Sequence, residues 1–492
     1  MGPPLGAARG EMRKTGRSPF WAWLFREEVL LCGAFLLALG LRLIIPLYIA
    51  AHSQDNDMRV YRSLVFGRTA YEVSFVTSLL YHWSAGMLKF HPEYYPPYAP
   101  YWSVPFLQGV VDAFGVVLVF MILSTLSTRK NALWGALIYA VWLPSIVYAA
   151  QAISEGGLPI ALLALSFCMV KAFTAQRRLR WLSAAGALTA AVLFIRFDNG
   201  LIAVFLPAFI AWTLRGSMAE SVKGTLAFLC GGGAFCLLFV FLLAPVAGYS
   251  HSLAFRSSKE ATTPSMALAL YNSMGEYPAT YPGLRFYKDE PAFEHMTAKV
   301  EALRASGNRA FAFLSKVCPG DPNLAAYATE VIVEHPARYA GWIAARFVHF
   351  LPAHRFIATI TTCLLRPAET PKMSGMYGRW FQEGTPVANS QFGCRSSSVY
   401  QTLKYVDLGL FGVFCVGVFA LRHSRAAMSL VAMYLGVLVG HVFTCCGDIR
   451  FINNTPADLL EPRYLIGMVS IWPLFLPVGF STLCGLVKRR RA

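Results

Sequence analysis

Charge is what this sequence has least of. Asp, Glu, Lys and Arg make up 14% of its 492 residues, against about a quarter in soluble domains. Hydrophobic residues reach 56% and mean hydropathy is +0.49. A soluble multidomain chain is thereby excluded, and apolar runs of about 18 residues or more identify a membrane-embedded one. No CxxC…CxxC or HExxH pattern occurs, so no metal site is expected. The N-terminus also lacks a small-residue cleavage site after a short apolar core, and the first run reads as an anchor. The 11 cysteines do not form a disulfide framework. Cys32, Cys168, Cys230, Cys236, Cys415 and Cys484 fall inside apolar runs, where a thiol behaves as a small hydrophobe. Only Cys318, Cys363, Cys394 and the Cys445–Cys446 pair lie in loops, where one disulfide stays open. There is no internal repeat and no low-complexity tract.

The charge that is present is mostly positive, 43 Lys and Arg against 26 Asp and Glu, for a net +17. Such a balance can indicate nucleic acid, but here the basic residues collect between apolar runs: Arg9, Arg13, Lys14 and Arg17, then Arg129 and Lys130, then Lys171, Arg177, Arg178 and Arg180. Arg215 with Lys223, Arg422 with Arg425, and Lys488 to Arg491 complete the set. That alternation is the positive-inside pattern of a polytopic protein, and no nucleic-acid partner is expected. About ten candidate spans follow, at 29–51, 104–122, 131–151, 157–173, 182–195, 200–214, 224–247, 406–421, 426–446 and 464–485, the fifth and sixth near the lower length limit. All the basic clusters share one side when both termini are cytoplasmic.

The expected fold is an all-α polytopic membrane protein. It divides into a cytoplasmic segment 1–28, a transmembrane module 29–247 including an outer loop 52–103, a non-cytoplasmic loop domain 248–405, and C-terminal spans with a basic tail at 406–492. Loops this long usually carry function or their own structure. Within the second loop, residues 325–350 have apolar positions near helical spacing. They read either as an amphipathic helix at the interface or as an ordinary helix of a small loop domain. Inside the spans, Arg42 and Asp112 each lie roughly 13 Å from the outer edge at 1.5 Å per residue. An isolated charge there is expensive, so the two are expected to pair. The alternative is an inner wall for an anionic substrate.

Chemistry gathers on the outer side. The first outer loop holds Asp55, Asp57, Arg59, Tyr61, Arg62, Lys89, His91 and Glu93. Ser154 and Glu155 follow the third span, Arg196 and Asp198 sit between the fifth and sixth, and Asp448, Arg450, Glu461 and Arg463 border the last. Helix capping, an aromatic belt and local ion pairs account for these residues as readily as an acidic base facing an anionic leaving group gripped by arginines does.

In pattern and order these positions resemble the GT-C superfamily of membrane glycosyltransferases. The likeness is to family 39-like protein mannosyltransferases and to lipid A aminoarabinose and galacturonic acid transferases. It covers most of 29–215 and the last span. The matching features are Arg42 late in the first helix, Asp57 and Tyr61 in DMRVY, the Pro-Pro of EYYPPYAPYW with Gln108 beyond, Pro144 and SEGG, Arg196 after the fifth helix, EHPARY, and EPRY before the last helix. Departures are Phe197 where a Pro is usual, Met58 where an acid is common, and Tyr94–Tyr95 where a Lys follows the acid.

The resemblance implies a helical bundle of about 10–13 spans that moves a sugar from a polyprenyl-phosphate donor to an acceptor hydroxyl on a glycolipid, lipid A core or protein. It implies Asp57 as general base and inversion at the anomeric carbon. Asp55, Arg59, Tyr61, Lys89, Glu93, Glu155, Arg196, Asp198 and Arg463 would bind substrate. No cofactor or divalent metal is expected, membrane lipids are expected partners, and the bacterial inner membrane is the expected location. The alternatives are a transporter or lipid flippase without transferase activity, and a non-catalytic scaffold.

Overall fold

In the computed structural model the described residues are 27–52, 103–149, 154–195, 199–243, 336–351, 398–444, 450–452, 455–457 and 462–491, with the single positions 305 and 357. Helix α1 spans Glu27–His52. Two short helices follow nearly end to end, α2 at Ser103–Ala113 and α3 at Gly115–Leu126. Next come α4 (Arg129–Ala140), α5 (Leu143–Ala149), a 3-10 turn at Ser154–Gly157, α6 (Leu158–Thr174), α7 (Arg178–Ile195), α8 (Ile202–Thr213) and α9 (Met218–Leu238). The large loop contributes α10 (Pro336–Phe350). The C-terminal part holds α11 (Ser398–Ala420), α12 (Arg425–Thr444), a hairpin of β1 (Arg450–Ile452) with β2 (Thr455–Ala457), α13 (Pro462–Val469) and α14 (Leu476–Arg491).

The expected class is borne out: apart from that one short hairpin the described residues are helical, and the chain is an integral membrane protein. The ten expected spans are not matched one for one. Among the described residues, five helices are long and apolar enough to cross a membrane, or seven if each of two bent pairs is one span. Helix α6 has 17 residues and α8 only 12. The pairs α4–α5 and α13–α14 bend by 45° and 49°. Proline accounts for both breaks, Pro144 opening α5 and Pro473 in the 3-10 turn Trp472–Leu474, because a proline offers no N–H to the preceding turn. The helix expected over 325–350 is present as α10, from Pro336 on.

Helix termini sort onto two ends. At the basic end, Arg129 Nη1 at the start of α4 donates to Glu27 Oε2 at the start of α1 (2.9 Å), and Ser481 Oγ of α14 donates to Asn131 Oδ1 (2.6 Å). Arg178 and Glu220, opening α7 and α9, lie 3.7 Å apart. The far ends of α1, α7 and α9, with the start of α2 and the turns Ser154–Gly157 and 199–201, make the opposite end, the site end.

Inside lipid there is little hydrophobic drive to bring apolar helices together, so close packing of small residues must do it. The crossing of α7 with α9 shows this. A Cβ on Gly186 would collide with the Phe228 carbonyl oxygen, and one on Gly231 with that of Ser183. Helices α11 and α14 cross likewise, Gly417 against Phe475 and Gly479 against Val413. On α1, Ala34, Ala38 and Arg42 recur every four residues on the buried face, while Leu36, Leu37 and Ile44 are exposed where lipid would lie. The two breaks meet: Trp142, at the first, and Trp472, at the second, have ring centroids 6.4 Å apart, and Phe411, Phe414, Tyr434 and Phe475 join the aromatic cluster.

Candidate functional site

Asp55, Asp57, Arg59, Tyr61, Lys89 and Glu93 lie outside the described residues, as do Arg196 and Asp198. The structure does place the backbone that flanks them. Loop 53–102 leaves the end of α1 and returns at the start of α2, and these two helices pack on each other. A Cβ at Gly109 would fall 2.9 Å from the Arg42 carbonyl oxygen, so only glycine lets α2 approach α1 so closely there.

Glu155 lies in the 3-10 turn Ser154–Gly157, which packs against α2, α5, α6 and α7. Its neighbour Gly156 faces Gln108 of α2, where a Cβ would come within 2.7 Å of the amide oxygen. An acid just before the N-terminus of α6 is also favoured by the helix dipole, whatever else it does. Arg463 is the second residue of α13, a helix packed on α5, α6 and α12. One turn further along, Gly467 would bring a Cβ to 3.3 Å from Asn199 Oδ1 and 3.5 Å from Leu162 Cδ1. Asn199 is fully buried directly after the 196–198 segment. The structure thus gathers onto one end the flanks of the first outer loop, the turn of Glu155, the residue following Asp198 and the helix carrying Arg463. Among the described residues no group of three or more His, Cys, Asp and Glu could hold a metal.

Below that end lies a fully buried polar centre. Arg42 Nε donates to Asp112 Oδ2 at 2.6 Å, and neither side chain is exposed. The expected pair is therefore present, and the structure adds two hydroxyls that the sequence reading missed. Tyr139 Oη donates to Asp112 Oδ1 at 2.7 Å, and Ser145 Oγ donates a short bond to Asp112 Oδ2. The Tyr139 and Ser145 hydroxyl oxygens are themselves 3.0 Å apart.

The rest of the guanidinium is committed to backbone. Arg42 Nη1 donates to the carbonyls of Ala140 (3.1 Å) and Ala38 (3.3 Å), and Nη2 to the Tyr139 carbonyl (3.3 Å) and to Ser145 Oγ (3.4 Å). The Ala140 carbonyl would ordinarily accept from the N–H of residue 144, but that residue is proline. An unmet carbonyl in a bilayer costs several kcal/mol, and Arg42 supplies the missing donor. An arginine has five N–H groups, and five acceptors surround this one. None is left to grip a phosphate, so the alternative reading of Arg42 as a wall for an anionic substrate is set aside. The sequence shows Pro144 within an apolar run, but nothing in it singles out Tyr139 and Ser145 as partners of Asp112.

Two further ionisable groups, Asp407 of α11 and His441 of α12, are buried within spans, and neither is without a partner. The cysteines of the apolar runs are free thiols, as expected, and the loop cysteines lie outside the described residues.

No protein-family model matches the chain, and no curated protein matches its sequence. Among solved structures, it is similar to the archaeal oligosaccharyltransferase AglB from Archaeoglobus fulgidus, determined in complex with an inhibitory peptide and a dolichol-phosphate. The identity is 9%, the TM-score 0.45, and the superposition covers 96% of this chain and 52% of AglB. This chain spans about half the length of that protein. At that degree of superposition the likeness decides neither fold family nor activity.

Proposed function

We propose that this protein is a membrane glycosyltransferase of GT-C type, moving a sugar from a polyprenyl-phosphate donor to an acceptor hydroxyl at the site end of the bundle. The observation that supports the reading is convergence. Glu155, the helix of Arg463 and both flanks of the loop bearing Asp55 and Asp57 come to one end, although they are far apart in sequence.

A lipid phosphate is already a good leaving group, so the reaction needs no strong general acid. It needs a carboxylate to take the proton of the acceptor hydroxyl, the role we assign to Asp57. It also needs cations where charge builds on the departing phosphate, for which Arg59, Lys89, Arg196 and Arg463 are candidates. Asp55, Tyr61, Glu93, Glu155 and Asp198 would orient donor and acceptor. Direct displacement would invert the anomeric carbon. Donor lipid, acceptor (a glycolipid, lipid A core or protein) and a bacterial inner-membrane location with both termini cytoplasmic belong to the same proposal.

The test is turnover of purified protein on polyprenyl-phosphate sugars. Asp57→Asn should abolish transfer while the protein stays folded and monodisperse. Wild-type turnover by that variant would move the base elsewhere, Asp55 first.

A second reading has one observation in its favour. Interrupted spans are a feature of transporters, and two described spans are bent, a geometry that the sequence reading had not expected. Sugar-lipid flipping by reconstituted Asp57→Asn protein at the wild-type rate would favour it.

A further inference from the structure

We infer that Arg42, Asp112, Tyr139 and Ser145 form the positioning unit of the site end, holding both flanks of loop 53–102 and the turn of Glu155 in one fixed arrangement. The chemistry at that end rests on the function proposed above, but the positioning itself rests on geometry alone.

The cluster joins four chain segments. Arg42 belongs to α1, ten residues or about 15 Å before its end at His52. Asp112 belongs to α2, nine residues or about 13 Å after its start at Ser103. Tyr139 is the penultimate residue of α4, and Ser145 lies in α5 beyond the break, where the chain heads for Ser154–Gly157. A second route leads from the cluster to the same turn. Gln108 stands one helical turn before Asp112 on α2, and its amide packs on Gly156 beside Glu155.

Asp112 and the start of α2 belong to one helix, Ser103–Ala113, so a displacement at Asp112 is passed toward the site end. The joint also tolerates few alternatives. Both carboxylate oxygens of Asp112 are occupied, and every N–H of Arg42 has an acceptor. Buried polar groups of this kind specify one arrangement because any shift leaves a donor or acceptor unmet. Apolar contacts between α1 and α2 could slide, but this cluster cannot.

The experiment is hydrogen exchange with mass spectrometry on the full chain in nanodiscs, paired with kinetics on polyprenyl-phosphate sugars. Tyr139→Phe and Ser145→Ala each remove one donor to Asp112 and are mild enough to fold, and Asp112→Asn is the stronger change. In all three, amide exchange in 47–52, 103–108 and 154–158 should rise about five-fold or more. The crossing of α7 and α9 should stay unchanged. In turnover, kcat should fall about ten-fold in Tyr139→Phe with KM for the donor unaltered.

The inference is overturned by unchanged exchange in those three segments, or by an equal rise in α7 and α9, which would mark a general stabiliser. Wild-type kcat in variants whose site end has loosened would overturn it too. An inactive wild type with the expected exchange pattern would instead sink the glycosyltransferase reading and leave the positioning unit standing.

Discussion

Arginine meets carboxylate at two levels of this molecule, and the two meetings differ in nearly everything but chemistry. At the basic end, Arg129 and Glu27 pair at 2.9 Å with side chains 75% and 37% exposed. Within the bundle, Arg42 and Asp112 pair at 2.6 Å with neither exposed. The exposed pair sits in high dielectric and is screened by salt, so its contribution is small. The buried one has lost its water and depends on complete pairing, so removing either partner strands the other. The difference shows that environment, rather than the partners, decides whether an ion pair matters.

The largest effect should come from unpairing the buried centre. Arg42→Leu should cost about 3–5 kcal/mol, seen as a steep fall in folded yield and thermal midpoint in detergent. Arg42→Lys should recover only part of this, since an ammonium has three donors and cannot reach five acceptors. Exchanging the residues, Arg42→Asp with Asp112→Arg, should likewise restore charge pairing but not the bonds to the Ala140 and Tyr139 carbonyls. Full recovery of the midpoint would show that charge alone matters.

A packing control comes next. Gly186→Leu should lower the midpoint by an amount equivalent to about 1–3 kcal/mol through collision with the Phe228 carbonyl, and it should do so equally at low and high salt. Ser145→Ala removes one hydroxyl and should cost about 1–2 kcal/mol, a loss measurable in the same melts. Smallest should be Arg129→Gln, within about 1 kcal/mol and vanishing at molar salt. A salt-insensitive loss there would break the contrast between the two levels.

Much of this was legible in the sequence. The membrane class followed from hydropathy, and the Arg42–Asp112 pair followed from the expense of leaving two charges at similar depth unpaired. The free thiols of the apolar runs followed from their surroundings, and α10 from helical spacing. What escaped was geometry that a linear count of apolar residues does not register. Pro144 and Pro473 turn two expected spans into bent pairs, whereas the shortness of α8 was already visible in the length of its apolar run. Tyr139 and Ser145 escaped because, six residues apart across a break, they follow no helical period, and only the bend brings both hydroxyls to one carboxylate. At the candidate site, the turn of Glu155 and the helix of Arg463 come to one end of the bundle. The roles of Asp57 and its neighbours rest on the resemblance and await the turnover experiment.

The bond from Arg42 to the Ala140 carbonyl has a consequence for how this chain can change through descent. Pro144 withholds an N–H from that carbonyl, and a side chain about a hundred positions earlier provides it. Neither residue can be lost first without penalty. Dropping the arginine strands both a carbonyl and a carboxylate. Dropping the proline restores a backbone donor, straightens the span, and carries Ser145 away from Asp112. The two positions should therefore be inherited as a unit, and a lineage that had shed one would be expected to have rebuilt Asp112 and Tyr139 as well.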